Sequence, residues 1–254
     1  MPLNNSRRNE GVGHLSRRTM QKKSEDTKTS RRKEKGVAQR EQQSKLVQLL
    51  PKNQKQSAYI KYLENPNNVI TIAVGPAGTG KTMIAAYAAI KALQSGDVEK
   101  IIITRPAVSV DEQHGFLPGS LVEKMEPWVM PILDYFYKFY TKHQILQMID
   151  KNQIEIAPLA YMRGRSFANT FILLDEAQNC TDNQIKMALT RISYGSKMVI
   201  TGDISQHDRG FENNGLKDLI WRFDGQEGIN HVDFTDKDVE RHPIIKTILS
   251  MYDK

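Results

Sequence analysis

The 254-residue, 29.0 kDa chain is 39% hydrophobic and 26% charged, the profile of a globular protein with one sizeable core. No uncharged apolar stretch nears the roughly 20 residues that span a bilayer, and the start MPLNNSRRNEGVGH has no apolar secretory segment. The single Cys180 excludes an internal disulfide and a multi-cysteine zinc site, so a cytoplasmic protein is expected.

The net charge of +7 is unevenly placed. Residues 1–45 hold 13 Lys and Arg against 5 Asp and Glu, a net of +8, which leaves 23 against 24 in the remainder. This segment has no aromatic residue and few aliphatics, so it is expected to be a disordered basic tail, with residues 46–254 forming the folded domain. Such a tail holds RNA or DNA phosphates through counterion release, or serves only as a solvated leader.

From residue 46 apolar runs alternate with helical patterns. A helix is predicted over 54–65 and a buried strand over 69–74, then a glycine-rich turn and a helix over 81–94. A strand follows at 100–104, an aromatic helical stretch at about 120–149 and a strand at IEIAP, 154–158. The strand FILLD, 171–175, leads into a helix over 182–192, and the strand KMVIT, 197–201, precedes a polar loop. A helix over 215–223, a strand over 229–234 and a last helix over 237–251 complete the chain. Apolar strands alternating with helices predict an α/β fold whose mainly parallel sheet is covered by helices on both faces.

GPAGTGKT, residues 75–82, fits G-x-x-x-x-G-K-[ST] and lies between a predicted strand and helix, the context this phosphate-binding loop requires. Gly75, Gly78 and Gly80, with Pro76, Ala77 and Thr79 between them, let the backbone wrap an anion with its N–H groups inward. Lys81 is placed to reach the β and γ oxygens of ATP, and Thr82 to ligate Mg²⁺.

Two adjacent carboxylates end the strand FILLD. Asp175, at a strand end beside the loop, is assigned to the Mg²⁺ shell, and Glu176 to the attacking water. Gln178, two residues on, is the least explained of the group and is read only as a link from hydrolysis to the neighbouring subunit or strand. At the end of the strand KMVIT, Thr201, Asp203 and Gln206 are expected to reach the γ-phosphate, and Gln206 is assigned to water or phosphate sensing. His114, His207, His231 and His242 are dispersed without metal-ligand spacing and are read as core or surface residues. The rings of WVMPILDYFYKFY, from Trp128, have helical spacing and are read as core or subunit interface.

GPAGTGKT, TRPAV (104–108), GFLPG (115–119), APLAYMRGR (157–165), LLDEAQN, ITGD with Gln206, and DVERHP (238–243) together resemble the PhoH family of P-loop ATPases, related to the core of superfamily 1 helicases. The resemblance spans about residues 50–252 and implies a three-layer, RecA-like P-loop NTPase that hydrolyses ATP and assembles into a ring, often a hexamer. It implies an adenine-reading role for Gln56 in QSAY, and for Arg241 a finger on the γ-phosphate, in trans or in cis. Arg163 and Arg165 are implied phosphate ligands of ATP or nucleic acid, and Arg105 a contact to a single-stranded RNA or DNA backbone. The loop HDRGFENNGL lacks the Leu-Pro usual in the family after the aspartate, which leaves Arg209 without a firm role. Competing readings are a thymidine-kinase-like nucleoside kinase, which usually carries a cysteine-rich zinc lobe, and a non-hydrolysing nucleotide-gated binding protein.

Overall fold

A computed structural model describes residues 46–106, 121–206 and 214–241, together with 244, 245, 248 and 251. The basic segment 1–45, GFLPG, Arg209, His114, His207 and His242 lie outside the described residues.

Helix α1 (Gln54–Glu64) leads into β1 (Ile70–Val74), the glycine loop, α2 (Lys81–Ser95) and β2 (Lys100–Thr104). The aromatic stretch forms two helices, α3 (Leu121–Phe136) and α4 (Lys142–Asp150). They separate because Thr141 and Gln144 close a reciprocal cap that starts α4. Then come β3 (Ile154–Ile156), a 3₁₀ turn at Leu159–Met162, β4 (Thr170–Leu174) and a 3₁₀ turn at Ala177–Asn179. The chain continues through α5 (Asp182–Leu189), β5 (Lys197–Gly202), α6 (Gly215–Arg222), β6 (Ile229–Asp233) and a 3₁₀ turn at Asp236–Asp238.

The six strands form one sheet in the order β3-β2-β4-β5-β1-β6, and every pairing among them is parallel. Successive strand residues point to opposite faces, and both faces are apolar. Ala73, Ile101, Ile103, Phe171, Leu173 and Val199 join the core packed by α1–α4. Ile72, Val74, Ile102, Ile172, Leu174, Met198 and Ile200 join the other, with Ile185 and Ala188 of α5 and Leu216 of α6. This is the three-layer α/β P-loop architecture. No helix of the described residues is long and apolar enough to cross a membrane.

The last predicted helix does not begin where expected. Thr235 donates through its backbone N–H and hydroxyl to Asp238 Oδ2 at 2.8 and 3.0 Å, closing the tight turn at Asp236–Asp238. Val239–Arg241 then run without helix, and the Glu240 N–H donates to the Gly78 carbonyl at 3.0 Å. A helix would have spent that amide on itself. Residues 244 and 245 are helical.

Candidate active site

The C-terminal ends of β1, β4 and β5 and the start of α2 enclose a cavity of about 320 Å³. Gly80 precedes helix α2 as its N-cap and has no side chain to cap the first turn, so that turn's amides and the positive helix end face the loop. The loop needs its glycines. Gly78 sits at φ 93°, and an added Cβ would collide with the Arg241 side chain. Gly75, at φ 135°, backs onto the carbonyl of Phe234.

Lys81 is buried and its ammonium donates to the carbonyls of Gly75 and Pro76 at 2.6 and 2.8 Å. Burial pulls its pKa down, opposed by Asp203 foremost, then by Asp175 and Glu176, while Arg241 adds to the lowering. Thr82 donates to Asp175 Oδ1 at 2.8 Å, and Thr201 donates to the same oxygen at 2.5 Å. Strand β5 lies between β4 and β1, so Thr201 fills the gap between the carboxylate and the loop.

Glu176 adopts a left-handed backbone, φ 56°, a conformation that costs a residue with a Cβ roughly 1–2 kcal/mol. That turn swings its carboxylate into the cavity wall, where it stays 43% exposed while Asp175 is buried. Gln178 explains part of how it is held: its amide donates to Glu176 Oε2 at 2.6 Å and its carbonyl oxygen accepts from the Asp203 N–H at 3.1 Å. One side chain therefore links the end of β4 to the end of β5. Asp203 Oδ1 accepts from the Ser205 amide and hydroxyl at 3.0 and 2.6 Å, whereas its buried Oδ2 has no partner among the described residues.

The remaining assigned residues divide into three groups. Gln206 is exposed and lines the cavity, and Arg241 lies against Gly78 of its own chain. Gln56 lines the cavity but is buried, donating to the Thr79 carbonyl at 3.0 Å and accepting from the Lys52 N–H at 2.8 Å. One amide hydrogen and one carbonyl lone pair of Gln56 remain uncommitted among the described residues.

Arg105 and Arg165 depart from expectation. Arg105 does not face outward toward a nucleic-acid backbone; its side chain is only 12% exposed and turns to the two carboxylates. It lies 3.2 Å from Asp175 and 3.0 Å from Glu176, a pair of neighbouring anions that draws the nearest cation inward. Arg165 forms a bidentate pair with Glu155, one arm at 2.8 Å, and stacks on Phe167, so Glu155 takes up its fork. Arg163 is exposed and has no side-chain partner among the described residues.

The cavity also takes Tyr135 from α3 and Glu240, neither assigned from sequence. For Glu240 the adjacent Arg241 was a signal; for Tyr135 the helical spacing that marked its neighbours as core hid it. The aromatic stretch is largely core as read, with Phe136 fully buried and Phe139 packed edge-on to Tyr87 at 5.0 Å.

Among curated proteins, the chain is 42% identical over 201 residues to the PhoH-like protein of Synechocystis sp., covering 79% of this chain and 61% of that protein. It is 45% identical over 189 residues to the PhoH-like protein of Bacillus subtilis, covering 74% and 59%. The chain thus spans about three-fifths of the length of the curated relatives it matches. A solved structure of the large terminase from a thermophilic bacteriophage is similar at a TM-score of 0.47 and 12% identity, over 79% of this chain and 50% of that one, too weak a likeness to carry function. Residues 48–253 match the family model described as PhoH-like protein, and with the loop, the paired carboxylates and the order of strands already in place, the chain belongs to the PhoH-like family.

Proposed function

We propose that this protein binds ATP with Mg²⁺ in the cavity at the end of β1 and hydrolyses it by attack of water on the γ-phosphate. The observation that carries the reading is the bonded line from Thr82 through Asp175 to Thr201, with Glu176 beside it at the cavity. The donor set fits the ion. Thr82 Oγ1 and Asp175 Oδ1 are hard oxygens 2.8 Å apart, the Asp203 Oδ2 that lacks a partner among the described residues is buried at the same cavity, and Mg²⁺ takes few protein oxygens beside phosphate and water. When bound, the ion neutralises charge on the phosphate oxygens.

The chain's own residues do the rest. Amides of residues 75–80 and the start of α2 bind the phosphates, and Lys81 leaves the loop carbonyls for them. Glu176, steadied by Arg105 and Gln178, orients the water and takes its proton on a carboxylate oxygen. Gln206 reads the γ-phosphate at the rim, and Gln56 presents its remaining hydrogen-bond capacity to adenine. Arg241, pressed on Gly78, serves the transition state in cis.

Hydrolysis is coupled in this reading to RNA or DNA. Supporting it are the +8 segment 1–45 and the exposed Arg163. A ring hexamer is the matching assembly, supported by Trp221, 79% exposed on α6, and tested by light scattering.

The deciding experiment is phosphate release by the full chain with ATP and Mg²⁺, alone and with RNA, single-stranded DNA, duplex DNA or an acceptor nucleoside. Metal-dependent release without acceptor is expected, raised by one nucleic acid. Release only with a nucleoside points to a kinase, and binding without release to a nucleotide-gated switch. Lys81→Ala should weaken nucleotide binding by about tenfold or more, the value of one charged contact to phosphate, and unchanged affinity would contradict the phosphate-loop assignment.

A further inference from the structure

Two neighbouring carboxylates at the end of β4 share one partly buried cation. Arg105, directly after β2, places one guanidinium nitrogen 3.0 Å from Glu176 Oε1 and 3.2 Å from Asp175 Oδ2. Its other terminal nitrogen donates to the backbone carbonyl of Trp128 in α3 at 2.6 Å, and the guanidinium lies 5.9 Å from the Trp128 ring centroid. Its Nε is buried without a partner among the described residues, so the fork is aimed by the carboxylates and not by a full set of its own bonds.

Asp175 meets two kinds of partner on its two oxygens. Oδ1 takes the hydroxyls of Thr82 and Thr201, on the side of the phosphate loop, and Oδ2 faces Arg105. A guanidinium does not deprotonate at any working pH, so this charge stays fixed on the carboxyl that the ion would use. A divalent cation arriving at Asp175 is repelled by it across a partly buried, low-dielectric path.

We propose that Arg105 is a resident counter-ion that competes with the divalent cation at Asp175 and so sets how much metal the site requires, while positioning Glu176 through the same guanidinium. This rests on the metal-assisted reading above. Arg105 acts through the two carboxylates, as a positioning residue. The Trp128 carbonyl fixes the third corner of the fork, so α3 shares control of where Glu176 points.

The test uses the full chain, a fluorescent non-hydrolysable ATP analogue and a titration with MgCl₂, scored as the Mg²⁺ concentration that gives half the gain in analogue affinity. Arg105→Met leaves both carboxylates without their cation, and the midpoint should fall about tenfold, a small fraction of a close charge interaction. Arg105→Lys keeps the charge and loses the fork; its midpoint should stay within about threefold of wild type while hydrolysis slows about tenfold. A wild-type midpoint in Arg105→Met overturns the proposal. Should that variant fail to fold, Arg105→Lys decides: slowed hydrolysis at an unshifted midpoint upholds the proposal, and wild-type hydrolysis overturns it. Absence of any Mg²⁺ effect on the wild-type protein would overturn the metal-assisted reading itself, a different failure from an unmoved Arg105→Met.

Discussion

On the edge of the sheet one carboxylate sits between two cations; at its C-terminal end one cation sits between two carboxylates. Glu155 of β3 accepts both arms of Arg165 and lies 2.5 Å from Lys100, and this pushes its carboxyl pKa down to about 2. Arg105 serves Asp175 and Glu176 together and leaves its own Nε unpaired among the described residues. In the first cluster no buried side-chain polar atom lacks a partner among the described residues. The second is net negative, and near it lie further buried polar atoms without partners among the described residues, Thr104 Oγ1 and Asp203 Oδ2. Folding alone selects against buried polar atoms left without partners, because each costs stability, so their gathering at a cavity points to a ligand that completes them.

The strongest way to break the comparison is Glu176→Gln. It should retain nucleotide binding and lower hydrolysis by about 10²-fold or more, the usual worth of a general base, in single-turnover assays. Hydrolysis at the wild-type rate would remove Glu176 from the chemistry. Next is Gln178→Ala, which cuts the tie between Glu176 Oε2 and the Asp203 amide. By analogy with other supporting side chains, kcat should drop about tenfold with KM little changed, and a shift in KM alone would argue against it.

The edge cluster should respond in stability and not in turnover. The Glu155 pKa is lowered from 4.5 to about 2, so its contribution is present above the unfolded pKa and is lost as pH falls from about 4.5 toward 2. Glu155→Gln should cost about 1 kcal/mol at neutral pH, discounted for solvent, and flatten the acid limb of a denaturation series over that window. An identical acid limb in the two proteins would contradict the assignment. The smallest effect belongs to Arg163→Ala: turnover without nucleic acid should be unchanged, while the slope of binding against salt falls by about one phosphate contact. A slope equal to wild type would exclude Arg163 from the interface.

Much of the site was legible before the structure. GPAGTGKT marked the loop because its glycines, lysine and threonine are adjacent in sequence and perform one local task, and strand periodicity placed β1, β2, β4 and β5 within a residue or two. Legibility ended where the partner is distant in sequence. Arg105 and Glu176 are 71 residues apart, and an arginine at a strand end looks the same from sequence whether it turns outward to a phosphate or inward to a carboxylate. Gln178 reads from sequence only as a link to a neighbouring subunit or strand, because both its partners, Glu176 and Asp203, are set by the spacing of two strand ends. Glu240 reaching Gly78 was concealed in a segment with helical periodicity, where one tight turn at Thr235–Asp238 took precedence.

The sequence by itself therefore determined the class of chemistry and its covalent neighbours: the anion loop, the Asp175–Glu176 pair and the run of apolar strands, each encoded over a few consecutive residues. The tertiary structure alone decided the strand order β3-β2-β4-β5-β1-β6, and with it the insertion of Thr201 between loop and carboxylate, the inward turn of Arg105 and the closure of Arg165 on Glu155. The physical reason is that periodicity records which face a residue buries, while pairing between strands and the sharing of a cation among anions depend on distances set only once the whole sheet has assembled.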